Sequence, residues 1–182
     1  MAEKATPLIR GRDRNEYHDL RRRYAPQNTK LVIVAESPPA SGKYFYDPVG
    51  ATSEPLFAAL MQQLRFSVSS KEDGLREFQR RGWVLIDATY EPVDYAGSSR
   101  DSVIERDYPI LRDELLKLSP DRSVPLALIK TNVCKILEPK LTQDGFKVLN
   151  QGKRVPFPST GWQKVFHRQF GAVLGEADKF RY

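Results

Sequence analysis

The chain has 182 residues, 40% hydrophobic and 29% charged, which is the length of one domain and the balance of a soluble globular protein. The net charge of +6 is uneven: residues 1–30 carry +4, residues 140–182 carry +5, and the middle is mildly acidic, so a fold that brings the ends together presents a basic face to polyanions. The apolar share excludes disorder throughout, the modest Gly and Pro counts exclude collagen-like and low-complexity classes, and no apolar run approaches the roughly 18 residues of a membrane span.

In chain order, the first expected element is a helix around Arg14–Tyr24, with Tyr17, Leu20 and Tyr24 on one side and Arg21–Arg23 around it. Leu31–Ala35 follows as a continuous apolar run, which suits a strand buried on both faces of a parallel sheet. Leu56, Leu60 and Leu64 then recur at helical spacing behind Ser53-Glu54-Pro55, with Ser53 expected to cap and Pro55 to sit in the first turn. Leu75 and Phe78 mark another helix, and Trp83–Ile86 a second strand. A third helix is expected over Ile110, Leu111, Leu115 and Leu118 with Pro109 in its first turn, then a strand at Leu126–Ile129. Thr131 and Asn132 read as a turn able to give backbone or phosphate contacts. A weaker strand is expected at Arg154–Phe157, and a last helix over Trp162, Val165, Phe166 and Phe170 opened by Ser159 or Thr160.

Strands alternating with helices predict an α/β fold: a three-layer α/β/α sandwich around a central four-stranded, mainly parallel sheet, as one domain over residues 1–182, with basic residues 1–30 packed on it. Ligands of such sheets bind beyond the carboxyl ends of the strands. Three expected strand ends carry polar or aromatic groups: Glu36 onward, Asp87 onward, and Pro158-Ser159. Glu36 is followed by Ser37 and two prolines, which hold an acid stiffly enough to place a water or face a developing cation. Ser41-Gly42-Lys43 is not a phosphate loop, because Ala35 and Tyr44 stand where that pattern needs Gly and Ser/Thr. The single Cys134 excludes an internal disulfide and a four-cysteine cluster, and with only His18 and His167 beside it no metal or organic cofactor is expected.

Leu31-Val32-Ile33-Val34-Ala35-Glu36-Ser37-Pro38, Val84-Leu85-Ile86-Asp87-Ala88 and Phe157-Pro158-Ser159 resemble, in order and approximate spacing, the three motifs of the uracil-DNA glycosylase superfamily. The resemblance spans residues 31 to about 170. It implies a DNA repair enzyme of base excision that flips a nucleotide from DNA and hydrolyses the N-glycosidic bond of uracil or a related damaged base. By that resemblance Glu36 positions the water, Phe45 or Tyr46 stacks the base with Tyr44 behind, and Ser37 and Asp87 complete the base pocket. Ser159, Thr160, Arg22 and Lys153 are candidate DNA contacts. The sequence also departs from the pattern. Asp87 replaces an Asn and, if protonated by burial, mimics it; Phe157 replaces the His that stabilises the leaving base and donates no hydrogen bond.

The expected partner is DNA containing such a base, with the chain acting as a monomer, without a membrane, in the cytoplasm or on the nucleoid. Its charged start reads as no secretory signal. A non-catalytic DNA-binding module on the same fold and a nucleoside-type hydrolase remain as alternatives.

Overall fold

A computed structural model describes residues 12–91 and 99–178, the side chains of 176–178 excepted. The sheet has three parallel strands, β1 (Leu31–Ala35), β2 (Trp83–Asp87) and β3 (Leu126–Leu128), in the order β2-β1-β3. The central strand β1 is buried along its whole length, which its unbroken Leu-Val-Ile-Val-Ala composition anticipates. Ala35 sits opposite Asp87 on one side and Val34 opposite Leu128 on the other, so all three strands end along one edge.

Six helices surround this sheet among the described residues: α1 (Arg14–Arg22), α2 (Pro55–Gln63), α3 (Lys71–Arg80), α4 (Arg100–Leu118), α5 (Thr131–Gln143) and α6 (Gln163–Asp178). Helix α1 opens with a reciprocal cap, Glu16 N–H to Asp13 at 3.0 Å and Asp13 N–H to Glu16 at 2.6 Å. Its Tyr17 is buried and lies 4.7 Å, ring to ring, from Tyr44. The described part of the basic N-terminal segment is thus packed on the domain. Helix α3 approaches α2 so closely that a Cβ on Gly74 would lie 2.4 Å from the Phe57 ring.

Five expectations are corrected. Arg154–Phe157 is not a strand, because Pro156 and Pro158 lack the N–H groups a ladder needs. Beside β3 the chain instead makes a single parallel bridge, Leu126 to Val148, and Val155 accepts the Lys130 N–H at 2.9 Å. Helix α2 is capped at Glu54 rather than Ser53, with no side-chain cap bond; the Glu54 carboxylate bonds the Ala51 N–H and the Lys71 ammonium. Pro109 lies inside α4, whose cap is Ser99, and its exposed position leaves the carbonyl one turn back open to water. Thr131 and Asn132 begin α5, and α6 starts only at Gln163, beyond Ser159 and Thr160.

Candidate active site

The carboxyl edge of the sheet opens into a pocket of about 240 Å³, lined by Glu36 and Ser37 after β1, Tyr44 and Phe45 from the following loop, Asp87 at the end of β2, and Lys130 after β3. At about 30 Å³ per liquid water, that volume holds a planar heterocycle. Three strands therefore each contribute a polar residue to one cavity, the place where open parallel sheets bind ligands.

Glu36 and Asp87 reach the pocket in opposite states. Glu36 is only 6% exposed, yet its carboxylate is fully engaged. Lys130 pairs with Oε2, Asn132 Nδ2 donates to Oε1 at 2.6 Å, and an Arg100 guanidinium nitrogen lies 3.9 Å away. Asn132 also donates to Asp101 at 3.3 Å, which fixes its orientation.

Asp87 is 3% exposed, and its Oδ2 is buried without a hydrogen-bond partner. Burial pushes its pKa up to about 8; Arg21 opposes the shift and Glu114 adds to it. A carboxyl raised in this way favours its protonated form, which has one O–H donor and one carbonyl acceptor. The Tyr44 hydroxyl is also buried and unpartnered, and burial raises its pKa as well, so it too remains a neutral donor.

The ground beneath these groups is rigid. Lys71, wholly buried, donates to the Tyr44 carbonyl at 2.7 Å and to Glu54 at 2.6 Å, which ties the loop to α2 and α3. Behind Asp87, Arg21 pairs with Glu114 at 2.5 Å and donates to the Tyr90 hydroxyl at 2.8 Å.

The aromatic candidates separate. Phe45 lines the pocket while its ring packs edge-on to Tyr46 and Phe78, at 5.0 and 5.1 Å. Tyr46 is in the core, its hydroxyl accepting the Leu85 N–H at 2.8 Å, and it does not line the pocket. Phe157, 37% exposed, stands at the rim.

A shallower groove of about 490 Å³ adjoins the pocket, with Lys130 and Phe157 lining both. Lys135, Ser159 and the half-exposed Trp162 line its far side. Thr160 is exposed beside Ser159 but does not line the groove. Arg22 is on the surface of α1, paired with Asp19, and Lys153 sits in the turn after Asn150; neither lines the pocket or the groove.

Lys130 and Arg21 are the site residues that sequence reasoning missed. The signal for Lys130 was its place directly after the third expected strand; Arg21, expected on the outside of the first helix, is a buried ion-pair partner of Glu114. Among the described residues no cluster of three or more His, Cys, Asp or Glu side chains could hold a metal ion. Nor is any helix among them long and apolar enough to cross a membrane. Comparison of the chain with family models, with curated proteins and with solved structures gave no match.

Proposed function

We propose that this protein is a DNA glycosylase that hydrolyses the N-glycosidic bond of uracil or a related deaminated base. The observation that carries the reading is Asp87, a pocket-lining acid whose buried Oδ2 has no hydrogen-bond partner and whose pKa burial pushes up to about 8. A neutral carboxyl offers a donor and an acceptor side by side, which complements the C=O and N–H of a lactam, the edge that deamination creates in uracil and hypoxanthine.

Phe45 and Tyr44 are the pocket's aromatic walls, and Glu36 faces the sugar carbon from which the base departs. Its carboxylate, held by Asn132, stabilises the developing oxocarbenium charge and positions the water. The leaving base departs as an anion, and Lys130, one of two lysines lining the pocket, offers it a cation beside Phe157, which offers no hydrogen bond.

Continuity between pocket and groove favours DNA over a free nucleoside, because Lys130, Lys135, Ser159 and Trp162 supply cations, a hydroxyl and a ring along the path of a flanking strand. The finer architecture belongs to this reading too: helices in two layers, α2 and α6 in contact on one side and α4 and α5 on the other, with residues 147–149 as a rudimentary fourth strand. So do a monomeric state and action on DNA in the cytoplasm or nucleoid.

The test is base release from end-labelled oligonucleotides containing uracil, hypoxanthine or an etheno base, single- and double-stranded, followed by alkali. Alkali-labile product from wild type that collapses in Glu36→Gln supports the reading. Salt-sensitive DNA binding with no product from any base would leave a non-catalytic module, and cleavage of free deoxyuridine with no preference for DNA would leave a nucleoside hydrolase.

A further inference from the structure

Lys130 has a backbone that its side chain alone does not explain. Its φ of +81° and ψ of 133° lie in territory that favours glycine, and a non-glycine residue there costs of order 1–3 kcal/mol. The strain falls at the turn where β3 stops at Leu128 and α5 begins at Thr131. The Lys130 N–H is held by Val155 at 2.9 Å, and its carbonyl accepts the Cys134 N–H at 2.9 Å. A sharp, strained strand-to-helix elbow is the device by which α/β hydrolases lift a nucleophile above the sheet edge. Here the residue so lifted is an amine.

Its surroundings complete a nucleophile's requirements. The ammonium contacts the Glu36 carboxylate, an immediate proton acceptor. Asn132 holds the other oxygen of that carboxylate at 2.6 Å and is itself steadied by Asp101. Nucleophile, base and a third group that orients the base form the triad arrangement of covalent catalysis. Lys130 also lines both the pocket and the groove, between the place of the base and the path of the strand, where a nucleotide's sugar lies. A salt bridge formed only for stability would require neither the strained elbow nor a position lining two cavities.

We infer that Lys130 is an imine-forming catalytic residue that attacks the C1′ aldehyde of an abasic deoxyribose in DNA. Lys130 gives a proton to Glu36, and its free amine adds to C1′ of the ring-opened sugar to form a carbinolamine. Protonation by Glu36 expels water and leaves an iminium ion. Glu36 then removes a C2′ proton; the C2′–C3′ double bond forms as the C3′–O bond breaks, and the 3′ phosphate departs with its strand. Water hydrolyses the iminium to an unsaturated aldehyde and restores the amine. No oxidant or reductant enters.

This inference rests on the reading that the pocket takes a DNA nucleotide, but it needs no base release, so the two fail separately. The experiment incubates the full chain with an oligonucleotide carrying one preformed abasic site and sodium cyanoborohydride, followed by denaturing electrophoresis and peptide mass mapping. A reduced covalent adduct on Lys130 is expected, with adduct formation falling at least a hundredfold in Lys130→Arg and at least tenfold in Glu36→Gln. No adduct from wild type, an adduct mapped to another amine, or one undiminished in Lys130→Arg would overturn the inference. The mapping on wild type decides the matter even where the variant folds poorly. Base release from uracil DNA without an adduct sinks the imine alone; an adduct without base release leaves it standing and sinks the glycosylase reading.

Discussion

Glu36 and Asp87 are both acids at the ends of adjacent parallel strands, Asp87 level with Ala35 and Glu36 one residue further on. Both are almost fully buried, yet the chain treats them oppositely. Glu36 is surrounded by Lys130, Asn132 and Arg100, whereas Asp87 has a buried oxygen with no partner and a carboxyl pushed up to about 8. The nearest cation behind Asp87, Arg21, is bound to Glu114. On the proposed function, one sheet edge supplies an ion-paired carboxylate for chemistry and a carboxyl raised by burial for recognition.

The comparison is broken most severely at Glu36. On the proposed function, Glu36→Gln removes the carboxylate that places the water, and the expected fall in single-turnover base release is about 10²–10⁴-fold, the usual worth of a positioned acid or base. On the other side, Arg21→Gln leaves Glu114 buried without its cation. The expected loss is about 3–5 kcal/mol in urea unfolding. Because Arg21 holds the Asp87 pKa down, the same change pushes that carboxyl further up, readable as an alkaline shift in the pH dependence of base release.

Asp87→Asn sharpens the contrast, since it fixes the neutral edge that protonation provides. A carboxyl whose folded pKa is raised destabilises the fold as pH climbs from its unfolded value near 3.8 to about 8, because the unfolded chain releases the proton first. Wild-type stability is therefore expected to fall across that window relative to Asp87→Asn and to run parallel to it above. If the proposed function holds, the variant is expected to keep activity on uracil and to lack the alkaline decline near pH 8 that ionisation of Asp87 would give the wild type. The smallest effect is expected of Tyr44→Phe. Removing one unpartnered buried hydroxyl is expected to raise stability by about 1 kcal/mol in urea unfolding.

The sheet was largely legible because continuous apolar runs mark strands buried on both faces, and β1, β2 and β3 fall where those runs are. Glu36 and Asp87 were legible for the same reason, as the first polar residues beyond such runs. The segment 154–157 misled because Val155 and Phe157 favour strands while the prolines beside them remove the donors a strand must share. Helix α5 was missed because Thr131-Asn132 suggests a turn and Pro139 suggests a break, although tertiary packing overrides both. Lys130 after a strand resembles any solvated strand end; only its backbone angle and its contact with a residue 94 positions away reveal otherwise. Arg21 sits in a run of three arginines, and its burial depends on Glu114 from a distant helix.

The most direct measurement is a pH titration of the Asp87 carboxyl by carbon NMR in selectively labelled protein, with and without free uracil. The expected midpoint lies near pH 8 and moves higher when uracil fills the pocket, because a bound lactam favours the protonated edge. A midpoint near 4, unmoved by uracil, would show that Asp87 is charged at neutral pH and would contradict the division of labour between the two acids.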